Sequence, residues 1–63
     1  MADKMNDSEL MKSTRKALGL NQSQMANKLG YGNQKDISNI ERGAGNMSNQ
    51  TRTHLLTIRK HEL

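Results

Sequence analysis

The spacing of glycines and capping residues between positions 18 and 43 constrains the fold of this chain more than any other feature. Asn21 precedes residues 22–29, and Gln24 lies three positions after it. This is the spacing of a capping box, in which each residue accepts the other's backbone N–H. Gly30 follows, where helices commonly end in a left-handed conformation. The apolar residues of the segment share one helical stripe: Met25, Ala26 and Leu29.

The same signals recur immediately afterwards. Asn33 can cap a helix that has an acidic residue three positions later, and Ile37 and Ile40 lie at i and i+3. Gly43 ends this second segment. The two segments are short amphipathic helices joined by a glycine-containing turn, which predicts a helix-turn-helix over about residues 21–42.

One further helix is expected on each side of this unit. Asn6 or Asp7 can cap the first, Gly19 ends it, and Ser48 can cap the last. Their inward stripes are Leu10, Met11, Thr14, Ala17 and Leu18 in the first helix, and Thr51, Leu55 and Ile58 in the last. A chain of 63 residues allows one small core. We therefore predict a single compact all-α domain of four helices, or up to five, with residues 1–6 as a mobile tail.

The amino-acid composition limits the kind of core, the class of binding partner and the cellular compartment that can be expected. Only 32% of the residues are apolar and Tyr31 is the sole aromatic residue, so the core is aliphatic and Tyr31 is expected to place its hydroxyl at the rim. The net charge of +4 suits a polyanionic partner, although a solvated basic surface explains it equally well. The absence of cysteine, of a membrane-spanning run and of a signal peptide predicts a cytoplasmic protein, associated with the nucleoid if it binds DNA.

Three stretches together resemble the DNA-binding domain of the Cro and CI repressors of lambdoid phages and their bacterial relatives, the lambda-repressor-like XRE family. They are LGLNQ at 18–22, MANKLG at 25–30 and ISNIERG at 37–43. The resemblance extends over about residues 10–58. One departure is that six residues separate Gly30 from Ile37, where the commoner pattern has five. This departure leaves the fold in place and affects which residue faces a given base.

The second helix of the unit would be the reading helix. Amide side chains can pair with adenine and lysine can donate to guanine, because each base pair has a distinct pattern in the major groove. The residues expected to read bases are Gln34, Lys35, Ser38 and Asn39. Asp36 could accept from cytosine, but a capping role is favoured. The residues expected near phosphates are Asn21, Gln22, Asn33, Arg42 and Arg52. About half of the basic residues are expected to be solvated charges instead.

The resemblance also implies a structural ion pair. In the family, an arginine four residues before the glycine of the Leu-Gly-Leu run commonly pairs with the glutamate at the end of the reading helix. Here these residues are Arg15 and Glu41. Such a pair would join the first helix to the third, whereas the alternative is two exposed charges.

Leu56 and Leu63 lie seven residues apart, outside the inward stripe of the last helix, and are expected at a homodimer interface. A dimer would bind an inverted repeat in double-stranded DNA as a repressor that regulates its own small phage or mobile-element operon, either Cro-like or anti-CRISPR-associated. The alternative is an antitoxin or interaction module that binds a protein through the last helix. His54 and His61 lack a nucleophile or ligand cluster, so no enzyme activity, cofactor, metal or small-molecule ligand is expected.

Overall fold

The computed structural model describes residues 6–63, which form four α-helices and no strand. The helices are α1 (Asp7–Leu18), α2 (Gln22–Leu29), α3 (Gln34–Glu41) and α4 (Asn49–Glu62). This confirms the prediction of a small all-α domain with four helices. Residues 1–5 of the expected tail lie outside the described residues. None of the helices within 6–63 combines the length and the apolar content needed to cross a bilayer.

Asn6 does not belong to a tail, which corrects the prediction at that residue. Its side-chain Oδ1 accepts the N–H of Glu9 at 2.8 Å and so caps α1. The capping box at α2 is complete, because Asn21 Oδ1 accepts the N–H of Gln24 at 2.7 Å and Gln24 Oε1 accepts the N–H of Asn21 at 2.9 Å. Each helix therefore begins where a polar side chain satisfies N–H groups that the helix leaves unpaired.

The remaining two helices are capped by the residues expected from the sequence. Asn33 Oδ1 accepts the N–H of Lys35 at 2.8 Å, and Ser48 Oγ accepts the N–H of Thr51 at 3.2 Å. The N–H of Asp36 is bonded to the backbone carbonyl of Asn33, so the start of α3 depends on Asn33.

Left-handed glycines cap the ends of α1 and α2, whereas α3 is capped by the right-handed Arg42 and its left-handed glycine, Gly43, comes one residue later. Gly19, Gly30 and Gly43 have φ angles of 73°, 84° and 79°. The N–H of Tyr31, one residue after Gly30, donates to the carbonyl of Ala26 at 2.9 Å and closes the end of α2. This geometry turns the chain sharply enough for α3 to pack beside α2.

The core lies where the inner faces of the four helices meet. Its buried apolar residues are Leu10, Met11, Met25, Ala26, Ile37, Ile40, Leu55 and Ile58. Residues of the turns and helix ends pack around them: Leu18, Leu20, Leu29, Tyr31 and Met47. Met47 lies in a segment whose sequence predicts only a loop. Ala17, in contrast, is exposed, which corrects its assignment to the inward stripe. The last turn of α1 turns Leu18, rather than Ala17, toward the core.

Helix α3 is packed against other helices on one of its sides only. Both α1 and α2 pack against α3, while α4 packs mainly against α1. Ile37 and Ile40 are buried in this arrangement, whereas Gln34 and Lys35 are exposed. One face of α3 is therefore fixed by the core, and the other faces outward.

Candidate nucleic-acid interface

The outward face of α3 carries the residues that the sequence suggests for base reading. Gln34 and Lys35 are exposed in its first turn, and Ser38 and Asn39 are half-buried one turn later. Arg42 is exposed at the C-terminal cap. Lys35, Asn39 and Arg42 follow at i, i+4 and i+7, which places them along one line of the helix. The structure thus brings a polar and cationic row together on the side away from the core.

The N-terminus of α2 supplies backbone donors. Within the first turn of a helix the N–H groups have no intrahelical acceptor. The capping box satisfies that of Gln24, while Gln22 and Ser23 occupy the two positions before it. The macrodipole favours an anion at such a terminus. The side chain of Gln22, a predicted phosphate contact, donates from Nε2 to Glu41 Oε1 at 3.3 Å, which leaves the second hydrogen of that amide for another acceptor.

Arg15 and Glu41 form a two-point ion pair between α1 and α3. Arg15 Nε donates to Glu41 Oε2 at 2.7 Å and Nη2 donates to Oε1 at 3.1 Å. Only 16% and 6% of the two side chains are exposed, so the alternative of two exposed charges is wrong. Arg15 Nη1 also donates to the carbonyl of Leu20 at 3.0 Å.

The hydrogen bond to Glu41, reinforced by its charge, raises the pKa of Arg15 although burial opposes the shift. A raised pKa favours the charged form in the folded state, so this contribution to stability is fully present below the ordinary arginine value and is lost only above it. Because the ordinary arginine pKa already lies far above neutral pH, the guanidinium stays charged at every pH at which the protein is handled.

Glu41 joins three helices at one residue. Its carboxylate accepts from Arg15 of α1 and Gln22 of α2, and its backbone carbonyl accepts from the hydroxyl of Ser8 in α1. The family resemblance implies only the first of these contacts. Gln22 and Ser8 have no pattern that identifies them as partners of Glu41, because the contacts depend on how the helices pack. The contacts of Glu41 hold the end of α3 against the start of α2. They therefore set the distance between the outward face of α3, predicted to read bases, and the N-terminus of α2, predicted to contact phosphate.

Both arginines predicted to contact phosphates are engaged within the protein. Arg42 Nη2 donates to Asn39 Oδ1 at 2.5 Å, and Arg52 Nη1 pairs with Asp7 Oδ1 at 2.7 Å. The side chains of Arg52 and Asp7 are 31% and 40% exposed, and a pair of this kind contributes little to stability. Its effect on a site is to neutralise part of the charge that Arg52 would offer to a phosphate.

The turn between α2 and α3 is fastened to α4. Tyr31 is half-buried, packs against the core and places its hydroxyl 3.0 Å from Thr51 Oγ1. The hydroxyl of Ser48 donates to the same Thr51 oxygen, also at 3.0 Å. Tyr31 therefore has the core position expected from the sequence, with its polar atom at the rim.

The last helix carries a separate apolar line. Leu56 and Leu63 are the large apolar side chains most open to solvent among residues 6–63, with 43% and 52% exposed. Leu56 lies within α4, and Leu63 follows seven residues later as the residue that caps the C-terminal end of this helix. His54 and His61 are also exposed on this helix, and no group of three or more potential metal ligands occurs within the described part of the chain.

Comparisons with protein-family models, with curated proteins and with solved structures found no match to this chain.

Proposed function

We propose that the protein is a sequence-specific double-stranded DNA-binding transcriptional repressor. The observation that carries this proposal is the outward face of α3, where amide, hydroxyl and cationic side chains stand clear of the core. An α-helix fits the major groove, where every base pair offers a distinct set of donors and acceptors. A helix that is held rigidly on one side and polar on the other is suited to that task.

The division of contacts follows from position along α3. In helix-turn-helix proteins the N-terminal residues of the reading helix contact base edges. Gln34 and Lys35 occupy this end, and Ser38 lies one turn further along the same face. Gln34 would pair with adenine through its amide, and Lys35 would donate to guanine.

Phosphate contacts would come from residues at the edges of this face. Gln22 keeps one amide hydrogen beyond its bond to Glu41, and it lies beside the backbone N–H groups that open α2. Asn21 and Asn33 use their oxygens as helix caps, which leaves their amide groups as donors. Arg42 contributes charge, and Arg52 would do so only if it shares or leaves its bond to Asp7. The net charge of +4 supports association with a polyanion.

We further propose a homodimer, because a domain of this size offers one small reading surface. Leu56 and Leu63 are the exposed apolar residues that a dimer would cover. Two-fold symmetry would match an inverted repeat with half-sites about 34–36 Å apart. Binding would occlude a promoter, and the resemblance to Cro and CI repressors favours control of the protein's own small phage or mobile-element operon, of the Cro-like or anti-CRISPR-associated kind.

A second candidate function rests on the same leucines. Leu56 and Leu63 would suit an interaction module, such as an antitoxin, whose last helix binds a different protein. A homodimer covers this line in the isolated protein, whereas a module of this kind stays monomeric until its partner is added. The oligomeric state therefore separates the two candidates.

The experiment is selection of bound duplexes from a random pool, followed by footprinting and by sedimentation of the complex. We expect an enriched inverted repeat occupied by two chains, with lost selectivity in Gln34→Ala. Thr57→Ala, at an exposed position of α4 and away from the α3 face, is the control. Failure to enrich any sequence over random duplex would overturn the DNA-reading proposal. A single half-site bound by one chain would overturn the dimer alone.

A further inference from the structure

We infer that Asn39 is a positioning residue that holds Arg42 toward the DNA backbone, and that Asn39 does not itself read a base. This inference rests on the proposed function and reassigns one residue within it. It starts from the contact between Arg42 Nη2 and Asn39 Oδ1, a side-chain hydrogen bond that joins two residues of the outward α3 row.

Asn39 is itself firmly held. Its backbone carbonyl accepts the N–H of Ala44 at 2.9 Å and that of Gly45 at 3.0 Å, so the chain after α3 folds back over it. A Cβ added to Gly45 would lie 3.2 Å from the Cβ of Asn39, which shows how closely this loop covers the side chain. Asn39 is half-buried as a result, whereas Arg42 is exposed. The backbone that carries the Asn39 amide is therefore held in place, and the amide can support the long side chain of Arg42.

The contact also interferes with base reading by Asn39. An asparagine that reads adenine uses Oδ1 to accept from N6 and Nδ2 to donate to N7, with both atoms in the plane of the base. Here a charged guanidinium already donates to Oδ1, and the Gly45 backbone passes close to the Asn39 Cβ. Reading adenine would require Asn39 to give up a charge-assisted bond.

Arg42 is suited to a phosphate by its place and chemistry. It lies at the C-terminal cap of α3, whereas base edges are contacted from the N-terminal part of a reading helix. A guanidinium has five N–H donors in a planar fork, so the bond to Asn39 leaves others for two phosphate oxygens. A side chain that is already oriented loses less conformational entropy on binding. Asn39 would thus act on affinity through Arg42.

The test is a double-mutant cycle with Asn39→Ala, Arg42→Ala and the double variant. Affinity is measured for the selected operator, for each of its single-base variants and for random duplex, over a series of salt concentrations. We expect Arg42→Ala to weaken all duplexes alike and to flatten the salt slope by roughly one unit. Asn39→Ala should weaken all duplexes by about 3- to 10-fold, the effect of one hydrogen bond, with base preferences unchanged. In the Arg42→Ala background it should have no further effect.

Ser38→Ala is the matched control, because Ser38 is half-buried on the same turn and is proposed to read a base. Its effect should add to that of Arg42→Ala. Asn39→Leu provides a second variant, since it keeps the bulk beneath the loop and removes the acceptor, and thermal melting of each variant confirms folding. A changed preference at one base pair in Asn39→Ala, or full additivity with Arg42→Ala, would overturn this inference and leave the proposed function standing. A wild-type protein without sequence preference would overturn both.

Discussion

Arg15 Nε lies 2.7 Å from Glu41 Oε2, and this bond fastens the first helix to the last residue of the third. The second bond, from Nη2 to Oε1, fixes the relative orientation of the guanidinium and the carboxylate. Because Glu41 also accepts from Gln22, removal of Arg15 would leave a nearly buried carboxylate with one neutral donor. The pair is thus a structural element of the α3 face.

We expect Arg15→Ala to destabilise the fold. Loss of one partner of a buried pair costs about 3–5 kcal/mol, and the remaining exposure of Arg15 lowers the expected loss to about 2–3 kcal/mol. For a domain of this size each kcal/mol shifts the Tm by about 4–8 °C. Lys12→Ala and Lys16→Ala, which alter exposed charges of the same helix, should each cost less than about 0.5 kcal/mol. Equal melting temperatures for the three variants would contradict the structural role.

The turn before α3 offers a matched pair of glycines. Gly30 has a φ of +84°, whereas Gly32 lies outside the left-handed region, and an added Cβ meets nothing within 4 Å at either position. Gly30→Ala should therefore cost about 1–2 kcal/mol through backbone strain alone. Gly32→Ala should be neutral or stabilising by up to ~1 kcal/mol, because it restricts the unfolded chain. Urea unfolding of both variants measures the difference, and equal losses would show that strain at Gly30 is not the cause.

Gln34 and Gln22 should respond differently to truncation. Gln34→Ala removes a proposed base contact, so it should cost about 1–3 kcal/mol on the operator and relax preference at one base pair. Gln22→Ala removes a proposed phosphate contact and should weaken every duplex alike. Gln34 is exposed, so its truncation should leave the Tm unchanged, whereas loss of the Gln22 bond to Glu41 should lower it slightly. Unchanged discrimination in Gln34→Ala would place the reading residues elsewhere.

Lys35 is distinguished from Gln34 by its charge. If it reads guanine, Lys35→Ala should lose affinity mainly for the operator and change preference at one base pair. Binding to operator and to random duplex over a range of salt concentrations tests this role. A uniform loss with a salt slope flatter by about one unit would instead assign Lys35 to the phosphate contacts.

The dimer prediction concerns α4. Leu56→Lys should convert the protein to a monomer at micromolar concentration, because a buried charge would replace an apolar contact. Thr57→Lys introduces the same charge at a neighbouring exposed position and should leave the dimer intact. Sedimentation equilibrium reports both. A Leu56→Lys protein that is still dimeric would show that the interface lies on another surface.

Much of the architecture follows from local signals in the sequence. The caps at Asn21, Asn33 and Ser48 and the helix ends at Gly19 and Gly30 are as predicted, because capping and the left-handed conformation depend on a few neighbouring residues. The stripes that these signals delimit also identify most of the core. Ala17 and Met47 are exceptions, since the burial of a residue near a helix end or in a loop depends on which other segment covers it.

The chain's own residues therefore determined where the helices start, where α1 and α2 end and which side of α3 is polar, because these properties are set within one or two helical turns. The resemblance correctly suggested the pairing of Arg15 with Glu41. Only the tertiary structure decided the hydrogen-bond partners of the remaining polar side chains. Gln22 donates to Glu41, Arg52 to Asp7, and Arg42 to Asn39. A hydrogen bond between distant segments requires approach within about 3 Å. That separation is fixed by the packing of the whole core, and no local pattern encodes it.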